Sequence, residues 1–165
     1  MRLTLLSLAL LVASIGAAPF DPMRAPVKAK LDAAFPGWRM APLNSRAARG
    51  FRSKHPSWPS NVLTGDFDGN KTTDYAVLME HKGKTMVAAV LDSGKTLTLH
   101  SVTAPEQPDP RMWLWRMTAG SSRTDLDTRK PIPLPFDTIG LSDGGNTSRT
   151  FLYEKGKFRE IRTSE

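Results

Sequence analysis

Five residues with oxygen-bearing side chains recur at every second position in the segment 65–74, directly before an apolar stretch. They are Asp66, Asp68, Asn70, Thr72 and Asp74. Calcium prefers hard oxygen ligands, and a tight loop supplies them when acidic and amide side chains alternate along it. We therefore predict a calcium loop in which Thr72 contributes its backbone carbonyl oxygen and the other four residues contribute their side chains. Three carboxylates would leave one bound dication close to charge balance.

A second interpretation of the same residues stays open. Asp and Asn side chains also stabilise turns by accepting hydrogen bonds from nearby backbone N–H groups, and this needs no ion. The alternating pattern is compatible with both an ion-filled loop and a bare turn. The two differ in one measurable respect, since removing calcium from the protein destabilises the first and leaves the second unchanged.

The loop resembles a known calcium motif, the FG-GAP or VCBS-type pattern, in which Asp-x-Asp-Gly-Asp-Gly-x-x-Asp follows a glycine and precedes an apolar strand. This resemblance covers about ten residues of the segment 65–78. A looser likeness, through Phe35-Pro36-Gly37-Trp38 and the segment 153–158, is to small exported bacterial proteins of unknown function that hold a single copy of the motif. The resemblance implies that calcium is held by Asp66, Asp68, Asn70, Thr72 and Asp74.

Two positions differ from the pattern, because Asn70 replaces an aspartate and Lys71 replaces the glycine of the sharp bend. A non-glycine residue at positive φ strains the backbone by about 1 kcal/mol, and the ammonium opposes a cation. We expect weak binding, with a dissociation constant on the order of 10⁻⁴ to 10⁻³ M. The chain also lacks the length and repeats of a β-propeller. We expect the loop to join the helical N-terminal part to the first central strand.

The N-terminus has the organisation of a secretory signal peptide. Arg2 precedes an apolar run over 3–12, and small residues follow at 14–18. We predict a signal peptide over 1–18, a single domain over 19–165, and a periplasmic or secreted protein. The apolar run is too short to span a bilayer. The chain has no cysteine, so a core or a bound ion must supply the stability that disulfides give many exported domains.

The pattern of apolar residues predicts an α+β fold. Val27, Leu31, Ala34 and Phe35 recur at helical spacing, and a weaker, basic helix is predicted from Arg46 to about Lys54. Beyond the loop, apolar stretches separated by short polar turns predict an antiparallel meander within a sheet of about 6–8 strands. The strand over 75–79 is apolar on both faces, which is typical of a central strand covered on both sides.

Basic residues are concentrated in the segment 24–54. The segment holds eight cationic side chains and one carboxylate, that of Asp32, so its balance of +7 equals the net charge of the whole chain. Such a segment can bind an anionic envelope polymer, lipid head groups or an acidic protein, or it can simply keep the protein soluble. Nucleic acid is not an expected partner, because the chain has no recognisable binding motif.

The remaining candidate sites are weaker. His55, His81 and His100 are scattered and lack the spacing of a triad or a zinc site. The segment 143–146 is expected to be a glycine turn rather than a second cation site. Trp113 and Trp115 share one face of a strand, where they either pack in the core or stack on a sugar or a partner's side chain.

We therefore expect an exported, non-catalytic binding or accessory protein with a structural calcium loop. One alternative is an inhibitor or immunity-type protein that blocks an exported toxin or hydrolase. A second is a metal-assisted hydrolase that uses Asp66, Asp68 or Asp74, which requires an open coordination position facing a cleft.

Overall fold

The computed structural model describes residues 23–43, 61–142 and 147–164. Within them lie one helix and eleven strands, which are α1 (Ala25–Ala34), β1 (Arg39–Met40), β2 (Val62–Gly65), β3 (Asp74–His81), β4 (Lys84–Asp92), β5 (Leu97–Ser101), β6 (Trp113–Met117), β7 (Ser122–Thr124), β8 (Pro131–Pro133), β9 (Thr138–Ser142), β10 (Thr147–Glu154) and β11 (Lys157–Ser164). The predicted signal peptide over 1–18 lies outside the described residues.

The predicted α+β class with two N-terminal helices was wrong. The structure is mostly β, with 50% of it in strands that form three antiparallel sheets, and it has one helix in its described part. The second predicted helix, over 46–54, lies outside the described residues. The strands beyond the predicted 6–8 include β7 and β8, which have only three residues each. Segments so short cannot display an alternating pattern.

The first sheet has the order β1-β3-β4-β5, with β2 also paired to β3. The strands β3, β4 and β5 form the predicted antiparallel meander, and residues 74–80 of β3 are all buried. One face of β3 packs through Tyr75 and Val77 against Val27 and Leu31 of α1. Its other face contributes Ala76 and Leu78 to the main core. The expectation of a strand covered on both sides is therefore confirmed.

The second sheet has the order β11-β10-β9-β6. It faces the first sheet through Leu114, Ile139, Leu141 and Phe151, which share the main core with Ala76, Leu78 and other residues of the first sheet. The pairing of β10 with β11 matches the predicted C-terminal hairpin, since Tyr153 lies opposite Phe158 and Arg149 opposite Arg162. The core therefore lies between two sheets, and α1 covers the outer face of the first.

The segment 118–135 leaves the second sheet after β6 and returns before β9, and its strands β7 and β8 form the third sheet. Leu134 packs beneath it with Trp113, Trp115 and Met117. Trp113 and Trp115 are only 5% and 6% exposed. Of the two alternatives for these tryptophans, the structure shows core packing rather than an exposed stacking platform.

None of the helices in the described ranges has the length and apolar composition required to cross a membrane.

Candidate metal centre

The acidic loop connects β2 to β3, which are antiparallel neighbours. The pairing places Gly65, the last residue of β2, directly opposite Asp74, the first residue of β3. Both ends of the loop are therefore fixed by backbone hydrogen bonds of the sheet. Side chains that are eight positions apart in the sequence, such as those of Asp66 and Asp74, are brought together by this hairpin geometry.

One loop residue anchors the loop to the core. Phe67 stands between two aspartates, yet it is only 1% exposed and belongs to the main core cluster. Gly65 makes room for it, since a Cβ at Gly65 would lie 2.8 Å from the Phe67 ring and 2.9 Å from Asp137 Oδ2. Gly69 has φ of 81° and lies against the ring of Phe136. The loop is therefore packed against the connection between β8 and β9.

Three of the five predicted ligands form one group. Asp66, Asp68 and Asp74 each have a carboxylate oxygen within 4.8 Å of the others. The Oδ1 atom of Asp66 is buried and accepts no hydrogen bond from any residue that the structure describes. A buried, unpartnered carboxylate oxygen is costly, because it has lost its water without gaining a donor. Its position beside two further carboxylates fits a hard cation such as calcium, which bonds to carboxylate oxygens.

Asp74 is the most buried member of the group, with no exposed surface. Its Oδ2 accepts a hydrogen bond from the Phe67 N–H at 2.7 Å, and its Oδ1 accepts one from the Asp92 N–H at 2.8 Å. Burial raises the pKa of Asp74 to about 6, aided by the charges of Asp68 and Asp66 and opposed by the two N–H donors. A metal-free centre therefore holds this carboxylate at an electrostatic cost near neutral pH.

The other two predicted ligands make bonds of a different kind. The Asn70 side chain donates to Asp68 Oδ2 and to the Asp92 carbonyl oxygen, each at 3.0 Å. Its Oδ1 accepts the Thr72 N–H at 2.7 Å, and the Thr72 hydroxyl donates to the Asp92 carbonyl oxygen. Their side chains therefore tie the loop to the end of β4. Participation of Asn70 Oδ1 or the Thr72 carbonyl in a metal shell stays a prediction.

Lys71 adopts the conformation expected of the glycine that it replaces. Its φ is 69°, and its N–H donates to Asp66 Oδ2 at 3.0 Å. The Asn70 N–H likewise donates to Asp68 Oδ1 at 3.1 Å. These are the local bonds that the bare-turn interpretation requires, so the loop can be held partly without an ion. Asp66 Oδ1 accepts none of these hydrogen bonds, so the bare-turn interpretation does not explain why this oxygen is buried without a donor.

Sequence reasoning missed Asp92, which was identified only as the start of a turn. Its N–H and carbonyl oxygen contact the loop as described above, and its carboxylate forms an ion pair with Arg24. The Gly94 N–H and Arg24 hold the pKa of Asp92 below its usual range. Because Tyr75 pairs with Val90, the preceding Asp74 meets the end of β4. The contact between Asp92 and the loop depends on the register of β3 against β4, which cannot be derived from a single sequence.

Asp137 was also missed as a neighbour of the loop. Its Oδ2 accepts the Asp66 N–H at 3.4 Å and lies 3.7 Å from Arg116 Nη1, while its Oδ1 accepts the Ala119 N–H at 3.1 Å. Arg116 also donates to the Thr64 carbonyl oxygen at 3.1 Å. The contacts of Asp137 and Arg116 link the loop to the second sheet.

The predicted link between the loop and the N-terminal helix is made indirectly, through Asp92 and Arg24.

A shallow groove of about 270 Å³ lies beside Asp92, and its lining is Arg24, Pro26, Asp92, Gly94, Lys95, Thr96 and Leu97. None of the three clustered carboxylates lines it. The hydrolase alternative requires a cleft onto which an open metal position faces, and this groove does not provide one.

The two described histidines, His81 and His100, do not converge. His55 lies outside the described residues, His81 packs edge-on against Phe35 at 5.5 Å, and His100 packs edge-on against Tyr153 at 5.5 Å. Burial lowers the pKa of His100. Within the described ranges, Asp66, Asp68 and Asp74 are the one group of histidine or acidic side chains close enough together to hold a metal. The candidate turn over 143–146 lies outside those ranges.

No protein-family model matches the chain, and the comparisons with curated proteins and with solved structures returned no match. The likeness of the loop to the FG-GAP or VCBS-type motif therefore stays a resemblance of about ten residues.

Proposed function

We propose that this chain is an exported, non-catalytic binding or accessory protein whose loop 65–74 is fixed by calcium. The observation that carries the calcium part is the carboxylate group Asp66, Asp68 and Asp74, with Asp66 Oδ1 buried and accepting no hydrogen bond from the described residues. Three like charges within 4.8 Å repel one another. A divalent cation bonded to them removes the repulsion and satisfies the unpartnered oxygen.

The role of the ion is structural in this proposal. Asp66, Asp68 and Asp74 would hold it, with Asn70 and Thr72 as the further ligands that the motif implies. The loop contacts β4 through Asp92 and the connection between β8 and β9 through Phe136 and Asp137. An ion at the loop would therefore stabilise one end of the two-sheet core. This is the contribution that an exported domain without disulfides needs.

Calcium should raise the melting temperature of the metal-free mature protein. With a dissociation constant of about 10⁻⁴ to 10⁻³ M and about 10 mM calcium, binding stabilises the folded state by about 1.4–2.7 kcal/mol. This corresponds to a rise of several degrees for a domain of this size. The measurement is thermal unfolding in calcium, in magnesium and in sodium chloride at matched ionic strength.

Asp66→Asn is the matched variant, because it keeps the shape of the side chain and removes one of the clustered charges. It should fold, and its melting temperature should respond to calcium far less than that of the wild type. If chelation leaves the wild-type melting temperature unchanged at millimolar calcium, the loop is a bare turn and the ion is excluded.

The binding part of the proposal concerns the basic segment 24–54. Three of its cations are already paired within the protein, because Arg24 contacts Asp92, Lys28 contacts Asp32 at 2.7 Å and Arg39 contacts Glu80 at 2.6 Å. Lys30 is exposed and has no carboxylate partner among the described residues. Among the described cations of the segment, Lys30 is therefore the one without an internal carboxylate partner, and the proposal extends to Arg46, Arg49, Arg52 and Lys54, which lie outside the described ranges.

Capture from the native envelope tests this surface. The tagged mature protein should retain an anionic polymer or an acidic protein, and replacing the cations at 46, 49, 52 and 54 by glutamine should release it. The matched control replaces Lys28 and Arg39, which are paired internally, and should still capture the partner. Equal capture by both variants would contradict a role for the basic segment. Recovery of an exported hydrolase or toxin would favour the inhibitor version of the proposal.

A further inference from the structure

Arg123 is a half-buried arginine on the outer side of the second sheet. It is the middle residue of β7 and lies opposite Ile132 of β8. The hairpin that carries it is fixed at several points. The Leu126 N–H donates to the Arg162 carbonyl oxygen at 2.9 Å, and Leu134 exchanges backbone bonds with Gly120 and Ser121 at 2.8 and 2.9 Å. Arg123 is therefore presented by a strand with a defined position on the sheet.

The guanidinium group of Arg123 is stacked on an aromatic ring. Its Cζ lies 4.7 Å from the centroid of the Trp115 ring. Tryptophan is the strongest aromatic partner for a cation, and the contact with the ring restricts the positions that the guanidinium can take. The Nε atom is buried and has no hydrogen-bond partner in the described part of the chain. One face and one edge of the group are thus covered, and only the terminal nitrogens remain for a ligand.

No carboxylate in the described ranges forms an ion pair with Arg123. Seven of the nine arginines in the described ranges lie within ion-pair distance of an Asp or Glu, and they are Arg24, Arg39, Arg111, Arg116, Arg149, Arg159 and Arg162. Of the remaining two, Arg129 is exposed and Arg123 is half-buried. Burial lowers the pKa of Arg123.

The carboxylates of the same hairpin are engaged elsewhere. Asp125 accepts the Asp127 N–H at 2.8 Å and the Thr128 hydroxyl at 2.9 Å, and Asp127 lies 3.4 Å from Arg162. Neither is paired with Arg123. The hairpin therefore holds a pre-oriented cation whose natural partner, a planar or tetrahedral oxyanion, is not supplied by the described residues.

We propose that Arg123, held on Trp115, binds an oxyanion of a ligand or partner through its terminal nitrogens. Carboxylate and phosphate share the required chemistry, because each presents two oxygens to a guanidinium fork. The site lies on a different sheet from the metal loop and does not depend on calcium. A covering role is the alternative, in which the side chain only shields Trp115 from water.

The direct test is an NMR titration of the ¹⁵N-labelled full mature chain with sodium phosphate and, separately, sodium acetate. Sodium chloride at matched ionic strength is the reference. The Arg123 Nε–H and Trp115 indole N–H signals should shift in a saturable way with phosphate, with acetate or with both. The anion that binds more tightly shows whether the natural ligand group is a phosphate or a carboxylate. Absence of a saturable shift with both would overturn the proposal.

Variants distinguish bidentate binding by the Arg123 guanidinium from a role that only covers Trp115. Arg123→Met keeps the apolar contact with Trp115 and should weaken oxyanion binding by at least about tenfold, as expected for loss of a charge-assisted bidentate contact. Arg129→Met, which removes an exposed arginine of the same hairpin, should bind like the wild type. Equal weakening by both variants, or an unchanged Trp115 response in Arg123→Met, would show general attraction to a basic surface and overturn the proposal.

Arg123→Lys keeps the positive charge but loses the planar guanidinium and its paired terminal nitrogens. It should therefore also weaken oxyanion binding while leaving the fold intact. If it binds as tightly as the wild type, the planar recognition proposed here is wrong. The wild-type titration decides the question even if a variant fails to fold.

Discussion

Replacing Phe67 by alanine should lower the free energy of unfolding by about 3–5 kcal/mol, the range for truncating a fully buried aromatic side chain. Phe67 lies in a polar loop between Asp66 and Asp68, yet it is 1% exposed and packs in the cluster that joins the two sheets. Its removal leaves a cavity that the loop cannot close, because Gly65 and Asp74 are fixed by strand pairing. Urea denaturation followed by tryptophan fluorescence gives the measurement.

Met40→Ala is the control for this prediction. Met40 is a large apolar residue with 41% of its surface exposed, so its truncation should change the free energy of unfolding by at most about 0.5 kcal/mol. Phe67→Ala should also reduce the calcium response, because the aromatic ring sets the position of its two aspartate neighbours. A cost for Phe67→Ala no larger than that for Met40→Ala would mean that the loop is not anchored in the core.

The parts of the fold that were predicted correctly depend on short-range signals. The strand over 75–79 was recognisable because its residues are apolar on both faces, and the meander because the polar turns at 82–83 and 93–96 interrupt the apolar runs. The C-terminal hairpin follows from the Glu154–Lys157 turn. Each of these features is set by residues within about ten positions, so one sequence contains the whole signal.

The parts that were predicted wrongly or missed depend on contacts between distant residues. The pairing of β6 with β9 places Leu114 opposite Leu141, although the segment 118–135 with β7 and β8 separates the two strands in the sequence. Nothing in the local pattern indicates that Gly140 lies under the Trp115 ring, where a Cβ would come within 2.4 Å of Nε1. The division into two packed sheets, and hence the mostly β class, follows from such pairings rather than from periodicity.

The candidate site likewise combines residues that a local pattern predicts with residues that only contacts between distant parts of the chain bring to it. The alternation of ligands identified Asp66, Asp68 and Asp74, which the structure brings together. Asp92 and Asp137 are 18 and 63 positions beyond Asp74 and reach the loop only through the sheet pairing and the packing of the sheets. The burial of Phe67 had a signal that was not used, since an aromatic residue between two aspartates is out of place in a loop that is exposed on all sides.

In calcium-free buffer, the wild type should become more stable relative to Asp74→Asn as the pH falls from 7 to 4. The pKa of Asp74 is raised to about 6 in the folded protein, above about 3.9 in the unfolded chain. Between these values the folded state binds a proton that the unfolded state does not bind, so the stability increases as the pH decreases. The contribution is fully present below about pH 4 and is lost as the pH rises through about 6.

A shift of about two pKa units at 1.36 kcal/mol each corresponds to about 2.7 kcal/mol in all, of which about 2.3 kcal/mol falls between pH 7 and pH 4. Urea denaturation of both proteins at a series of pH values measures it, and the difference between them removes the titration of the other carboxylates. Asp68→Asn is the second control. It removes a neighbouring charge and keeps Asp74, so most of the pH dependence should remain.

The stabilisation by calcium should have the opposite pH dependence, because a proton and the ion compete for the same carboxylate. The additional stability that millimolar calcium gives the wild type should shrink as the pH falls below about 6, while Asp74→Asn should show little calcium response at any pH. Parallel pH curves for the wild type and Asp74→Asn would mean that Asp74 does not titrate in this range. A calcium increment independent of pH would place the ion away from Asp74. The two curves together therefore test, on one buried side chain, both the electrostatic cost of the metal-free loop and the ion that relieves it.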